Sequence, residues 1–349
     1  MRVVPFCIVA SIAAFSPQAH AHHSQATFDV ARTVTVEGKV VAFEWANPHV
    51  YIFVDQKAED GKATEWKIEG VGIGPLRRLG WSRDTLGVGD EITVVGNPDR
   101  TDDRSLKLQS LRKDGAILFD PQGLISVFSV ASDAPKAVAD SLSGTWATLL
   151  AMNVVIPLTV APQGAIPLTA AGEAALKAYD ERTMAPALQC IPQPAPFLMY
   201  VPNIMRITTG ERTITIEGDY EATERTIHMD LSDHEGAPPS LHGHSIGRWD
   251  SGTLIIDTAA FANHRTGNAA GVPSGAQKHL VERLTRSDDA TSLTYQFELT
   301  DPEFLAAPVT GEVRWAYRPA IAFERNECSL AAARRFTERS AQAPDTRDE

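Results

Sequence analysis

The stretch His244-Ser245-Ile246-Gly247-Arg248-Trp249-Asp250-Ser251-Gly252-Thr253-Leu254-Ile255-Ile256-Asp257 decides how this chain is read. Ser251-Gly252 between two apolar-rich runs is a two-residue hairpin turn, which pairs Asp250 with Thr253 and sets the other pairs by counting. Strand side chains alternate, so Trp249, Leu254 and Ile256 share one face, and His244, Ile246, Arg248, Ile255 and Asp257 the other. Ile246 then faces Asp257, with His244 and Arg248 as diagonal neighbours. A carboxylate between an imidazole and a guanidinium suits acid/base or anion-binding chemistry, which makes His244, Asp257 and Arg248 candidate catalytic residues. The alternative is a solvent-facing hairpin with ordinary ion pairs. His242 just before the hairpin and His264 in the next loop would close over one barrel mouth, and with Trp249 they are candidate ligand-binding residues. His242-x-His244 with His264 also admits a metal, but no acidic ligand at a diagnostic interval completes the set.

The same alternation runs outward from this hairpin. Ile204 to Thr208, Thr213 to Glu217, Arg225 to Asp230, Lys278 to Arg286, Ser292 to Leu299 and Val309 to Tyr317 are short alternating runs joined by Gly, Asp and Ser turns. Sequential antiparallel pairing makes them a meander, and about eight such strands close into a barrel wide enough for one small ligand. Ahead of them, Gly144-Thr145-Trp146 opens the domain and one amphipathic helix runs from Thr169 as N-cap to Tyr179. Pro186, Pro192, Pro194, Pro196 and Pro202 make the next stretch a long loop.

A smaller strand-rich unit precedes this one. Val34 to Phe43, interrupted at Gly38, Val50 to Val54, Glu65 to Ile68, Glu91 to Val95 and Leu106 to Leu111 are five strands, with a short helix at Pro75 to Leu79 between the third and fourth. That order is the OB-type barrel, and Asp114-Gly115 adds a hairpin at its end. The division expected is residues 22–119 for this barrel, 120–142 as a linker with an extended piece at Ile125 to Val130, 143–332 for the larger barrel and 333–349 as a polar tail.

Residues 1–21 read as a cleavable secretory leader: Met1-Arg2, an apolar run from Val3 to Phe15 too short to span a bilayer, and Ala19-His20-Ala21. The expected location is therefore periplasmic or secreted, with no transmembrane segment. Loss of the leader leaves Cys190 and Cys328, and in an oxidising compartment a lone pair points to one disulfide. A net charge of -12 disfavours nucleic acid as a partner.

Ala21-His22-His23-Ser24, Val36-Glu37-Gly38-Lys39-Val40, Trp45-Ala46-Asn47-Pro48-His49 and Gly89-Asp90-Glu91-Ile92-Thr93-Val94 resemble an uncharacterised family of bacterial secreted domains, over roughly residues 20–119. The second unit, with its Gly-x-Trp opening and meander, resembles a lipocalin-like barrel. Gly243 to Trp249 is similar to a block in uncharacterised secreted bacterial proteins. The fold class expected is mainly β: an OB-like small barrel, then a larger antiparallel lipocalin-like barrel with one short helix.

Cleavage after Ala21 would leave His22 with a free amine, and that amine, His22, His23 and His49 could together hold copper(II), which favours nitrogen ligands in tetragonal geometry. A frayed terminus is the alternative. The function expected is a periplasmic binding protein for a small apolar molecule, a metal ion, or both. The alternative is a lipocalin-like barrel enzyme, a hydratase, lyase or isomerase, working through the His244/Asp257/Arg248 face. No Gly-x-Ser-x-Gly elbow, phosphate-binding loop or His-Glu-x-x-His motif is present, so serine hydrolase, nucleotide and zinc-protease readings have no support.

Overall fold

A computed structural model describes residues 28–57, 63–100, 102–120, 136–149, 166–200, 204–219 and 223–334. The leader, His22 and His23, the extended piece at Ile125 to Val130 and most of the polar tail lie outside the described residues.

The first barrel follows the expected order: β1 (Val34–Glu44), β2 (Tyr51–Lys57), β3 (Ala63–Glu69), α1 (Ile73–Arg78), β4 (Glu91–Pro98) and β5 (Ser105–Lys113), with β6 (Ala116–Phe119) as a hairpin extension. The sheet runs β3-β2-β1-β4-β5-β6, and a parallel β3–β5 pairing closes it. Asp114 and Gly115 both have positive φ, which a turn that matches strand twist requires. β1 is continuous through Gly38, where it passes from pairing with β4 to pairing with β2. A Cβ at Gly38 would lie 2.4 Å from the Asp55 carbonyl, so glycine there permits the close approach of backbones. The core is built from in-phase residues such as Val36, Val40, Ile52, Val54, Ile92 and Val94, all buried.

The second barrel is a closed ring of nine strands: β7 (Gly144–Leu149), β8 (Ile204–Thr209), β9 (Thr213–Gly218), β10 (Glu224–His228), β11 (His244–Asp250), β12 (Thr253–Ala259), β15 (His279–Arg286), β16 (Ser292–Thr300) and β17 (Val309–Tyr317). β13 (His264–Ala269) and β14 (Val272–Ser274) form a separate hairpin between β12 and β15. The all-antiparallel meander needs one correction. The run that opens at Gly144 is a strand of the ring, and an odd ring cannot alternate direction throughout. One neighbouring pair must be parallel, and it is β10–β11. A parallel pair needs a long crossover, which residues 229–243 supply. The hairpin register is the one expected from sequence, from Asp250↔Thr253 to Ile246↔Asp257.

Burial in β16 alternates, Leu293, Tyr295, Phe297 and Leu299 inward with Gln296 and Glu298 outward. Trp146, Tyr295 and Trp315 are fully buried, and the last two stack 5.8 Å apart, so large side chains fill much of the lumen. α2 (Ala170–Ala178) has its expected N-cap, the Thr169 hydroxyl accepting from the Gly172 N–H at 3.2 Å. It packs on the β13–β14 hairpin, where a Cβ at Gly271 (φ +74°) would meet Leu176 and Tyr179 at 2.9 Å. Among the described residues no helix is long and apolar enough to cross a membrane.

The barrels meet through a polar seam. Buried Asn47 accepts the Ile73 N–H at 3.1 Å, donates to the Asn326 carbonyl at 3.3 Å, and its own carbonyl accepts from Ser329 N–H at 3.0 Å. Arg78 of α1 reaches the Thr148 carbonyl at 3.0 Å. Burial raises Asp219 to about 6 against the hydrogen bond from Ile204 and the pull of Arg78. The expected disulfide is present: Cys190 and Cys328 bond at 2.02 Å and join the Pro-rich loop to the segment that docks on Asn47. Residues 136–142 lie against the second barrel, with Ala139 and Leu142 buried in its core.

Candidate functional site

Two groups of titratable side chains flank the crossover 229–243, one at the barrel mouth and one on the outer wall. Both owe their positions to the parallel pair, because the crossover carries His234 across the outside and returns to the rim at His242.

The mouth group rests on a buried polar network. Arg225 on β10 is bidentate to Glu282 on β15, at 2.8 Å and 2.5 Å. It also donates to Ser245 Oγ at 3.0 Å and Thr258 Oγ1 at 2.6 Å, while the Tyr295 hydroxyl donates to Glu282 at 2.7 Å. Each guanidinium nitrogen finds an acceptor, as a buried ion pair needs if desolvation is to be offset. Burial alone would lower the Arg225 pKa, but Glu282 outweighs it and the net direction is upward.

Above this network Lys278, just ahead of β15, is fully enclosed. Its Nζ donates to the Ala195 carbonyl of the Pro-rich loop at 2.9 Å and to the Gly267 carbonyl of β13 at 2.5 Å, and sits 4.4 Å from the Phe261 ring centre. Burial pulls its pKa down to about 7, with Asp301 and Glu282 resisting. His242 is lowered to about 4 by burial and then by Arg225, Lys278 and His264. His264 is also lowered to about 4, by burial and by Lys278, with the Pro192 carbonyl acting in the other direction. Both rings are therefore neutral near pH 7 in a field of positive sign.

The orientation of His264 follows from its neighbours. Its Nδ1 accepts the Thr266 N–H at 3.2 Å, so the ring proton is assigned to Nε2. His264 Nε2 and His242 Nδ1 are buried and make no hydrogen bond among the described residues. Most buried polar atoms are paired, and leaving one unpaired costs about 1–3 kcal/mol, so two beside a buried lysine call for an explanation.

The outer group centres on Asp257. Its Oδ1 receives His234 Nε2 and His279 Nε2, each at 2.9 Å. His234 Nδ1 lies 2.9 Å from His244 Nδ1, and the His228 ring stacks on His244 at 5.1 Å. Burial opposes ionisation of Asp257, but the two imidazole hydrogen bonds outweigh it and lower its pKa. His244 is lowered by burial and by the charges of His234 and His228. A groove of about 500 Å³ begins beside this group at Val281, the β15 partner of Asp257, and runs past Arg283, Gln296 and Glu312.

The sequence-derived candidates thus separate. His242 and His264 come together at the mouth, where the charge of His264 acts on His242 and Lys278 acts on both. Trp249, 52% exposed, sits at the hairpin end of β11, about 20 Å of strand from His242, and does not join them. His244 and Asp257 share a cluster, but on the outer wall of the barrel and linked through His234. Arg248 is exposed and pairs with Asp250 at 3.8 Å. His49 hydrogen-bonds the Gly70 carbonyl through Nδ1 at 3.0 Å and lies 3.8 Å from Glu69. Lys278, Arg225, Glu282, His234 and His279 were not among the sequence candidates.

Residues 9–107 match the model of a family of unknown function, DUF6152. That match covers most of the first barrel and stops short of the second, where both polar groups lie. No curated protein matches the chain.

Proposed function

We propose that the chain is a binding protein of the cell envelope whose second barrel holds a small carboxylate or oxoanion at its mouth. The observation that carries this reading is the pair of unpartnered buried imidazole nitrogens, His242 Nδ1 and His264 Nε2, beside the enclosed Lys278. His264 offers a buried Nε2–H on which only the Pro192 carbonyl acts, short of a formed hydrogen bond, while Lys278 acts on both rings and Arg225 on His242, so the complementary group is an oxygen bearing negative charge. The Ala195 and Gly267 carbonyls now occupy Lys278, and a bound anion would compete with them for the ammonium. Aromatic filling of the lumen favours this polar mouth over an apolar ligand deep in the barrel. The leader-like residues 1–21 and the disulfide support an envelope location.

Calorimetric titration with acetate, succinate and phosphate tests the reading. One of them should bind saturably, with affinity falling by up to about tenfold per pH unit above 7 as Lys278 loses its proton. Lys278→Met should remove both the affinity and its pH dependence, and His264→Phe should weaken binding. Equal binding by Lys278→Met, or no saturable binding of any of the three, would refute it.

A further inference from the structure

The outer histidine group carries a separate chemistry. Asp257 accepts from His234 Nε2, so in the neutral ring the other nitrogen, Nδ1, holds a lone pair. That lone pair faces His244 Nδ1 at 2.9 Å. A carboxylate behind one ring nitrogen, with the opposite nitrogen facing another imidazole, is how metal-binding histidines are held: the carboxylate sets the tautomer and raises basicity. His279 bonds the same Asp257 oxygen, and the His228 ring walls the far side of His244.

The spacing is informative about the ion. Two nitrogens each about 2.05 Å from one metal lie about 2.9 Å apart at a right angle and about 3.3 Å apart at the tetrahedral angle. The 2.9 Å separation is that of the N–H···N hydrogen bond a metal would replace, and it already equals the spacing of adjacent corners of a tetragonal ion. The two rings meet edge to face, their centres 5.1 Å apart and their planes at 86°.

We infer that His234 and His244 bind one divalent transition metal through their Nδ1 atoms, with copper(II) or nickel(II) preferred over zinc and Asp257 as the orienting carboxylate. Among the described residues no three His, Cys, Asp or Glu side chains converge as a complete ligand set, so water fills the remaining positions. His244 gives up its Nδ1 proton and takes one on Nε2, and binding to the neutral cluster releases no net proton. The site is distinct from the anion-binding mouth and stands or falls independently of it.

The test is copper(II) titration of the full chain carrying His22→Ala and His23→Ala, which removes any contribution from an N-terminal histidine pair. One equivalent should bind, with an electron paramagnetic resonance spectrum showing hyperfine coupling to two imidazole nitrogens. His234→Asn, in the crossover, and His244→Phe, which keeps a ring against His228, should each weaken binding at least tenfold. Asp257→Asn should weaken it about 10- to 100-fold, the range for loss of an orienting carboxylate. His279→Ala, whose ring bonds Asp257 and not His234 or His244 among the described residues, should leave the two-nitrogen spectrum intact. Absence of stoichiometric copper, or unchanged affinity and spectrum in His234→Asn, would overturn the assignment; a circular dichroism melt on each variant separates misfolding from lost ligation.

Discussion

Lys278→Met should change how stability depends on pH, in a direction set by burial. In the unfolded chain the lysine titrates near its usual value of about 10.4. In the folded protein burial lowers it to about 7. Between these values the unfolded state binds more protons, so the native state gains stability as pH rises through this window. At pH 7 the mismatch costs the native state about 4 kcal/mol, and at pH 9 about 2 kcal/mol. Wild type should therefore gain about 2 kcal/mol between pH 7 and pH 9 that the methionine variant does not, other titrating groups cancelling in the difference. Methionine keeps the apolar stem that packs on Phe261 but leaves the Ala195 and Gly267 carbonyls without the ammonium, a cost that is the same at both pH values. Urea unfolding of both proteins at the two pH values measures the double difference. A value within about 0.5 kcal/mol of zero, or of opposite sign, would show that the two carbonyls and the Phe261 face keep Lys278 protonated and that burial does not dominate.

Three other outcomes are expected. Arg225→Ala leaves Glu282 buried without its guanidinium and should cost about 3–5 kcal/mol in denaturant unfolding. Gly243→Ala places a Cβ 2.7 Å from the Ala259 carbonyl at φ +70°, and should lower the melting temperature and displace the amide resonances of His242 and His244. Reduction of Cys190–Cys328, or Cys190→Ser, opens a crosslink spanning 138 residues and should cost about 5 kcal/mol by the chain-entropy account, read as a drop in melting temperature on adding a thiol.

The parts of the fold legible in sequence were those that depend on local pattern. Ser251-Gly252 set a turn in which both residues take positive φ, and with it the whole β11–β12 register. Thr169 marked the helix start, and the two cysteines marked the crosslink. The parallel β10–β11 pair was not legible, because it follows from the number of strands in the closed ring and not from any residue in β10 or β11. His234 was hidden for the same reason: its place beside Asp257 depends on the path of the crossover.

The buried charges did leave a trace. Glu282 lies in phase with Leu280 and Leu284, and Arg225 in phase with Ile227, so each sits on the apolar face of an alternating strand. Two opposite charges out of place in this way signal a buried pair, a pattern that attention to histidines alone passes over. Lys278 gave no such signal, since it precedes its strand and is enclosed by the β13–β14 hairpin together with the Pro-rich loop, whose Ala195 lies 83 residues earlier in the chain.

If the mouth nitrogens are a ligand's partners, nitrogen-15 spectra of the histidine rings will report the ligand's arrival. On titration with the anion that binds best, His264 Nε2 and His242 Nδ1 should shift saturably with one dissociation constant, and the same titration of Lys278→Met should leave them still. Shifts confined to His234, His244 and His279, or shifts at His264 that persist in Lys278→Met, would contradict it.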